Sequence, residues 1–356
     1  MRVHQLLARF EAGDAVSNMA MDIHDALTAR GVESRIFAHS LDSFGLTRGM
    51  HESAYGSFAK TGEDLLIYHY SVWCDNLALF ESSKNRRIVI YHNITPAKFF
   101  EPYDPQIAEI CRLGREALPR FTGANLGLGV SEYNRRELVR AGFSETNTGV
   151  LPIHPPVERF DSVEPDGQLE RKLSDGRANI LFVGRIVPNK KIEDLVRLFL
   201  YYHRCVNARS RLILAGGPLY PYILRLQRMV DDLGLTGRVL FMGKVSEPQL
   251  VALYRAADVY VSMSEHEGFC VPLTEAFHFG VPVMAYTAAA VPETMGRAGI
   301  LFDEKDYPIL GEMMDRVLRE PAVREETVAA QRERLANFSR ERFEERLFRH
   351  LGVFLT

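Results

Sequence analysis

The chain has 356 residues, 46% of them hydrophobic and 25% charged, with 43 Lys+Arg against 46 Asp+Glu and a formal net charge of −3. At roughly 150 residues per domain this length calls for two domains, each able to build a core, and the composition excludes a disordered chain, a collagen or a coiled coil. The lack of a basic excess argues against nucleic acid as a partner. No apolar run approaches the ~18 residues of a membrane span. The opening MRVHQLLARFEAGDAV has an acid at Glu11 and no long apolar stretch, so no signal peptide is expected. Cys74, Cys111, Cys205 and Cys270 are widely spaced and form no CxxC, which speaks against zinc or a disulfide framework and for a reducing, cytoplasmic setting.

Short apolar runs alternate with helical patterns along the chain. Val3–Leu7 reads as a strand and Val16–Arg30 as a helix closed by Gly31. Further strands are expected at Ser34–Ala38, Asp64–Tyr68, Arg87–Tyr91, Leu126–Val130 and Gly149–Leu151, with helices at Pro105–Leu118 and Glu132–Ala141. The proline-rich run Leu151–Val157 cannot be a regular helix, and the polar, acidic residues after it place a linker at 156–175. In the second half, strands are expected at Ile180–Val183, Leu212–Ala215, Val239–Met242, Val259–Met263 and Val281–Ala285. Ile192, Leu195, Val196, Phe199 and Leu200 have the spacing of a buried helix face. Ser246 and Gln249 have capping-box spacing. The tail from Pro308 reads as two or three amphipathic helices. Alternating strands and helices imply parallel sheets covered on both faces.

The run from Ser264 to Ala276, SEHEGFCVPLTEA, follows a strand at its carboxyl end, where open α/β sheets bind ligands. Pro272 suits the first turn of a helix and Gly280 its stop. The amides of Phe269 to Leu273 are then expected at a helix N-terminus, which favours an anion. Glu267 stands before the turn and Glu275 in the first helical turn. As acceptors, both suit sugar or ribose hydroxyls; on spacing alone, a helix-dipole Glu beside a solvated loop Glu remains an equal reading. A second loop, VGRIVPNKK from Val183 to Lys191, offers Arg185 and Lys190 to phosphate oxygens. Two cations there neutralise a diphosphate leaving group without a metal.

The segments VGRIVPNKK, AGG, FMGKVS, SEHEGFCVPLTEA and VPE together resemble the donor domain of retaining glycosyltransferases of family 4. The Glu267–Glu275 spacing, E-x7-E, is that family's signature, and the resemblance is strong over about 179–302. It implies an α/β chain with the GT-B fold, two Rossmann-like domains with parallel sheets facing a central cleft. The domains would be 1–155 on the acceptor side and 176–335 on the donor side, with a last helix, 336–356, packing back on the first. The resemblance implies that Arg185 and Lys190 bind the donor diphosphate and that Glu267, with the amides of Phe269, Cys270 and Val271, holds the transferred sugar. It further gives Glu275 the ribose, and the backbone at Lys244 and Val245 the nucleobase. The family has glycine after its phosphate-binding lysine, where this chain has Lys191.

In the first half the resemblance brings the loop around Gly13 to the donor phosphate and acceptor. Asp14 then either orients an acceptor hydroxyl or caps the next helix. His92, in YHNITP, resembles the family residue that reaches the donor sugar. His69 is expected to line the acceptor pocket, and Trp73 either stacks on a sugar ring or packs. The implied reaction moves a hexose from a nucleoside diphosphate to a glycan or lipid-linked acceptor, with retention and with no metal or cofactor. YHNITP resembles bacterial mannosyltransferases of surface-polysaccharide assembly, which makes GDP-mannose the first donor to consider and UDP-glucose or UDP-GlcNAc the second. A non-catalytic nucleotide-sugar-binding subunit is the alternative from another class. Peripheral contact with the inner face of the cell membrane would follow from a lipid-linked acceptor.

Overall fold

The computed structural model describes residues 1–59 and 62–355. The chain divides into two units, Met1–Pro155 with Phe338–Thr356, and Pro156–Asn337. Among the described residues, the first unit holds a parallel sheet of β1 (Val3–Phe10), β2 (Ser34–Leu41), β3 (Met50–His51), β4 (Leu65–Tyr70), β5 (Arg86–Tyr91), β6 (Leu126–Gly129) and β7 (Thr148–Val150). Their order is β3-β2-β1-β4-β5-β6-β7. All six residues of β4 are buried, as expected where helices cover both faces. The helix Ala15–Ala29 starts at Asp14, whose carboxylate accepts the Ser17 N–H at 2.9 Å. It buries Met19, Ala20, Ile23, Ala26 and Leu27, a stripe with helical period.

The second unit holds β8 (Ala178–Val183), β9 (Ser210–Ala215), β10 (Val239–Gly243), β11 (Val259–Ser262), β12 (Val283–Tyr286) and β13 (Ile300–Phe302), in the order β10-β9-β8-β11-β12-β13. In each sheet the strand order reverses once, between β1 and β4 and between β8 and β11. Crevices at the carboxyl ends of such switch points are the ligand sites of doubly wound folds.

Residues 156–175, expected as a linker, instead belong to the second unit. Val157–Ser162 forms a 3-10 helix and Gly167–Leu173 an α-helix. Val157 and Phe160 bury against Val251, and Leu173 joins the main core. The prolines do break regular helix here, but the apolar residues between the polar ones are packed. The strands Met50–His51 and Ile300–Phe302 were not anticipated; at two and three residues they are too short to show a period. The tail forms three helices, Tyr307–Arg319, Pro321–Leu335 and Arg340–Leu355. The last belongs to the first unit. It buries Phe343, Leu347 and Leu351, and the Arg30 guanidinium lies 3.4 Å over its Phe348 ring.

Candidate functional site

At the carboxyl edge of the second sheet, the chain leaves β11 at Ser262 and enters the helix Val271–His278 at Cys270. Neighbouring elements hold the loop between them. Asn189 donates its amide N–H to the His266 carbonyl at 2.9 Å, and its own carbonyl accepts the Glu265 N–H at 2.9 Å. The Thr294 hydroxyl donates to the Phe269 carbonyl at 2.5 Å, and the Ala290 N–H to the Glu267 carbonyl at 3.3 Å. Cys270 takes a left-handed conformation, φ 74°, that turns the chain into the helix.

Inside this loop Glu267 is buried, and its Oε1 lies 2.5 Å from the Lys190 Nζ. Lys190 ends the short 3-10 helix Pro188–Lys190, which follows β8. Lys191 points elsewhere: its Nζ is 3.6 Å from Glu265 and 3.7 Å from Glu193. Lys191 also has φ 52°, a backbone state that glycine takes without steric cost, so this position suits the glycine of the related family. The Cys270 thiol is hydrogen-bonded to Glu267, and burial followed by the Glu267 charge pushes it well above the ordinary thiol range. The thiol is therefore protonated and is a donor to the carboxylate, not a nucleophile.

Glu275 departs from expectation. It is the fifth residue of its helix, one turn in from the start at Val271 and so beyond the first turn. Its Oε2 accepts the Tyr254 hydroxyl at 2.8 Å, and burial raises its carboxyl above the usual range. The helix N-terminus is also narrower than expected, since Pro272 has no N–H and the Leu273 N–H bonds to the Cys270 carbonyl at 3.1 Å. Arg185 is exposed on the loop after β8. Lys244 is exposed after Gly243, which has φ 64°, and Val245 packs in part against the core.

At the carboxyl edge of the first sheet, Gly13 has φ 76° and open space where a Cβ would stand. The Asp14 carboxylate accepts from both the N–H and the hydroxyl of Ser17, so the capping role is realised. His92 directly follows β5, and its Nε2 is 3.0 Å from the Nδ1 of buried His69. Burial pushes His92 down to about 3. Trp73 is half-buried, with the Arg120 guanidinium 5.6 Å from its ring centroid.

Four residues with a part in these sites carry no motif of their own in the sequence: Asn189, Thr294, Tyr254 and Gln5, whose amide oxygen lies 2.8 Å from the His69 Nε2. Asn189 sits within VGRIVPNKK, and Thr294 directly follows VPE. Gln5 is a fully buried polar residue in an apolar strand, which was a visible signal. Tyr254 carried none, because a core tyrosine on a helix looks like packing.

Residues 168–338 match the family of glycosyl transferases group 1. The chain is 24% identical over 262 residues to the serotype-specific mannosyltransferase WbdA of Escherichia coli, covering 71% of this chain and 32% of that one. It is 28% identical over 222 residues to a GDP-mannose-dependent alpha-(1-6)-phosphatidylinositol monomannoside mannosyltransferase of Mycolicibacterium smegmatis, covering 59% of this chain and 57% of that one. The chain thus spans between about a third and just over half the length of these curated relatives. Among solved structures, Anabaena HepE in complex with UDP and glucose superposes with a TM-score of 0.75 at 17% identity, over 99% of this chain and 100% of that one. The fold is GT-B. Among the described residues, no helix is long and apolar enough to cross a membrane.

Proposed function

We infer from residues 168–338, which match the glycosyl transferases group 1 family, that this chain transfers a hexose from a nucleoside diphosphate sugar to a hydroxyl of a glycan or lipid-linked glycan. The observation that carries this reading is the Lys190–Glu267 contact at the entry to the helix Val271–His278. It sets a cation for phosphate beside a carboxylate for hydroxyls, within a loop held by Asn189 and Thr294. In this reading Arg185, Lys190 and the first helix amides stabilise the charge that develops on the leaving diphosphate. Glu267 holds the sugar, Glu275 the ribose, and the backbone at Lys244 and Val245 the base. Gly13 allows the phosphate to come close and Trp73 serves the acceptor, whereas Asp14 is engaged in capping its helix and His69 is buried with both ring nitrogens bonded.

Transfer retains configuration, with attack from the face of departure. No side chain acts as a covalent nucleophile, and a donor phosphate oxygen takes the acceptor proton. The names of the relatives support GDP-mannose as the donor. UDP-glucose is the second reading, favoured by the likeness to a fold solved with UDP and glucose. The protein works in the cytoplasm, meeting a lipid-linked acceptor at the membrane surface.

The test is a panel of nucleotide sugars screened for thermal stabilisation, since a ligand that binds only the folded state raises its melting temperature. Release of the nucleoside diphosphate on acceptor addition should follow for the stabilising donor. Arg185→Ala should slow release by about 10²–10³-fold, the usual cost of removing one charge-stabilising donor. Unchanged release in that variant rejects the site. Activity should persist in EDTA, and its complete loss would reject metal independence. Binding without release in the wild-type protein would favour a non-catalytic subunit.

A further inference from the structure

Strands in the middle of a parallel sheet covered on both faces read almost wholly in Val, Ile and Leu. Three neighbouring strands of the first sheet break that rule on one face. Gln5 in β1 and His69 in β4 are buried, and His92 follows β5. The register explains how they meet. Leu7 pairs with His69, and His69 with Ile90. Gln5 stands two residues before Leu7 and His92 two residues beyond Ile90. Residues two apart share a face, so the three side chains climb diagonally toward the carboxyl edge.

Donors and acceptors along this line fix the protons. The Gln5 Nε2 lies 2.9 Å from the Ala20 carbonyl, which can only accept. The amide oxygen of Gln5 therefore faces His69, 2.8 Å from its Nε2, and that nitrogen carries the proton. Burial holds His69 well below the usual imidazole range, so its ring is neutral and its Nδ1 is a lone pair. His92 Nε2, 3.0 Å away, must then donate. The Nδ1 of His92 remains as an acceptor, and no group among the described residues satisfies it.

We propose that Gln5 and His69 are positioning residues that lock His92 as the neutral Nε2–H tautomer, so that its Nδ1 accepts a hydrogen bond from a substrate hydroxyl. The hydroxyl rests on the transferase reading above; the tautomer does not. The locked form also gives selectivity. An imidazolium would donate and so attract phosphate, whereas a bare lone pair repels phosphate oxygens and selects O–H donors. Such second-sphere fixing of a histidine is how proteins choose which ring nitrogen acts.

The experiment is long-range 1H–15N correlation of the histidine rings in the full chain at pH 7. In the wild-type protein His92 should carry its proton on Nε2 and none on Nδ1. Gln5→Leu removes the acceptor, so His69 and His92 should populate both tautomers. Its kcat should fall about tenfold, while the Kd for GDP or UDP changes less than twofold. A wild-type His92 protonated on Nδ1 overturns the proposal, and so does a folded Gln5→Leu protein with the tautomer and kcat unchanged. If Gln5→Leu does not fold, the wild-type spectrum decides alone. If the wild-type protein shows the Nε2–H form yet turns over no nucleotide sugar, the transferase reading fails while the lock stands.

Discussion

Lys190 and Glu267 neutralise each other at 2.5 Å, yet the proposed chemistry needs the first on a phosphate and the second on a sugar hydroxyl. An incoming diphosphate must therefore take Lys190 from Glu267, which opens the oxygen that faced Lys190 to the sugar as the donor arrives. Glu267→Gln should release Lys190 in advance and remove a negative charge from the phosphate site. The expected outcome, read by calorimetry, is nucleoside diphosphate bound about tenfold tighter, equivalent to ~1.4 kcal/mol, with slower sugar transfer. Equal or weaker binding would contradict this exchange. Lys191 offers a second test. Its left-handed backbone costs roughly 1–2 kcal/mol, and its two ion pairs, at 3.6 and 3.7 Å, are part-exposed and each worth about 0–1 kcal/mol. Lys191→Gly should leave the melting temperature unchanged or raise it by a few degrees; a clear fall would show that the ion pairs outweigh the strain.

At the scale of elements, the ends of β8 and β9 approach so closely that only glycine fits. A Cβ on Gly216 would lie 1.9 Å from the Gly184 carbonyl oxygen, whereas one on Gly217 would meet nothing within 4 Å. Gly216→Ala should therefore cost several times more than Gly217→Ala in denaturant unfolding, of order 2–4 kcal/mol against under 1. Comparable losses would mean that the strand ends relax. This loop shows what could be read from sequence and what could not. The glycines of AGG, VGR and the EGF turn are the local trace of this edge in the sequence, because glycine permits close backbone approach. Pro272 and Gly280 bounded their helix correctly in kind. Glu275 was expected in the first turn, yet the helix starts at Val271, directly after a left-handed turn at Cys270 that no glycine announces. Glu275 therefore sits one turn in, bonded to Tyr254. The ties from Asn189 and Thr294 join residues far apart in the chain, and no local period encodes them. Likewise 156–175 looked like a linker because its packing partner, Val251, lies more than 70 positions away.

For the whole molecule, the helix Arg340–Leu355 is the part of the first unit most distant in sequence from the rest. Phe343, Leu347 and Leu351 lie on its buried side, and its His350 ring nitrogen is 3.1 Å from the Val150 carbonyl. Leu347→Ala should destabilise the first unit by about 2–5 kcal/mol, while the second unit, contiguous over 156–337, keeps its own unfolding transition. Differential scanning calorimetry should show one transition lowered and one in place; a uniform shift of both would mean that the units unfold together.

The backbone leaves the first unit at Pro155 and rejoins it at Phe338. During translation the lobe encoded in the middle has all its residues before the lobe encoded at the start. At about 5–20 residues per second, the early lobe waits roughly 10–40 s for its closing helix. Throughout that interval its nascent form lacks the apolar side chains of Phe343, Leu347 and Leu351, a window in which a ribosome-bound chaperone would find its substrate.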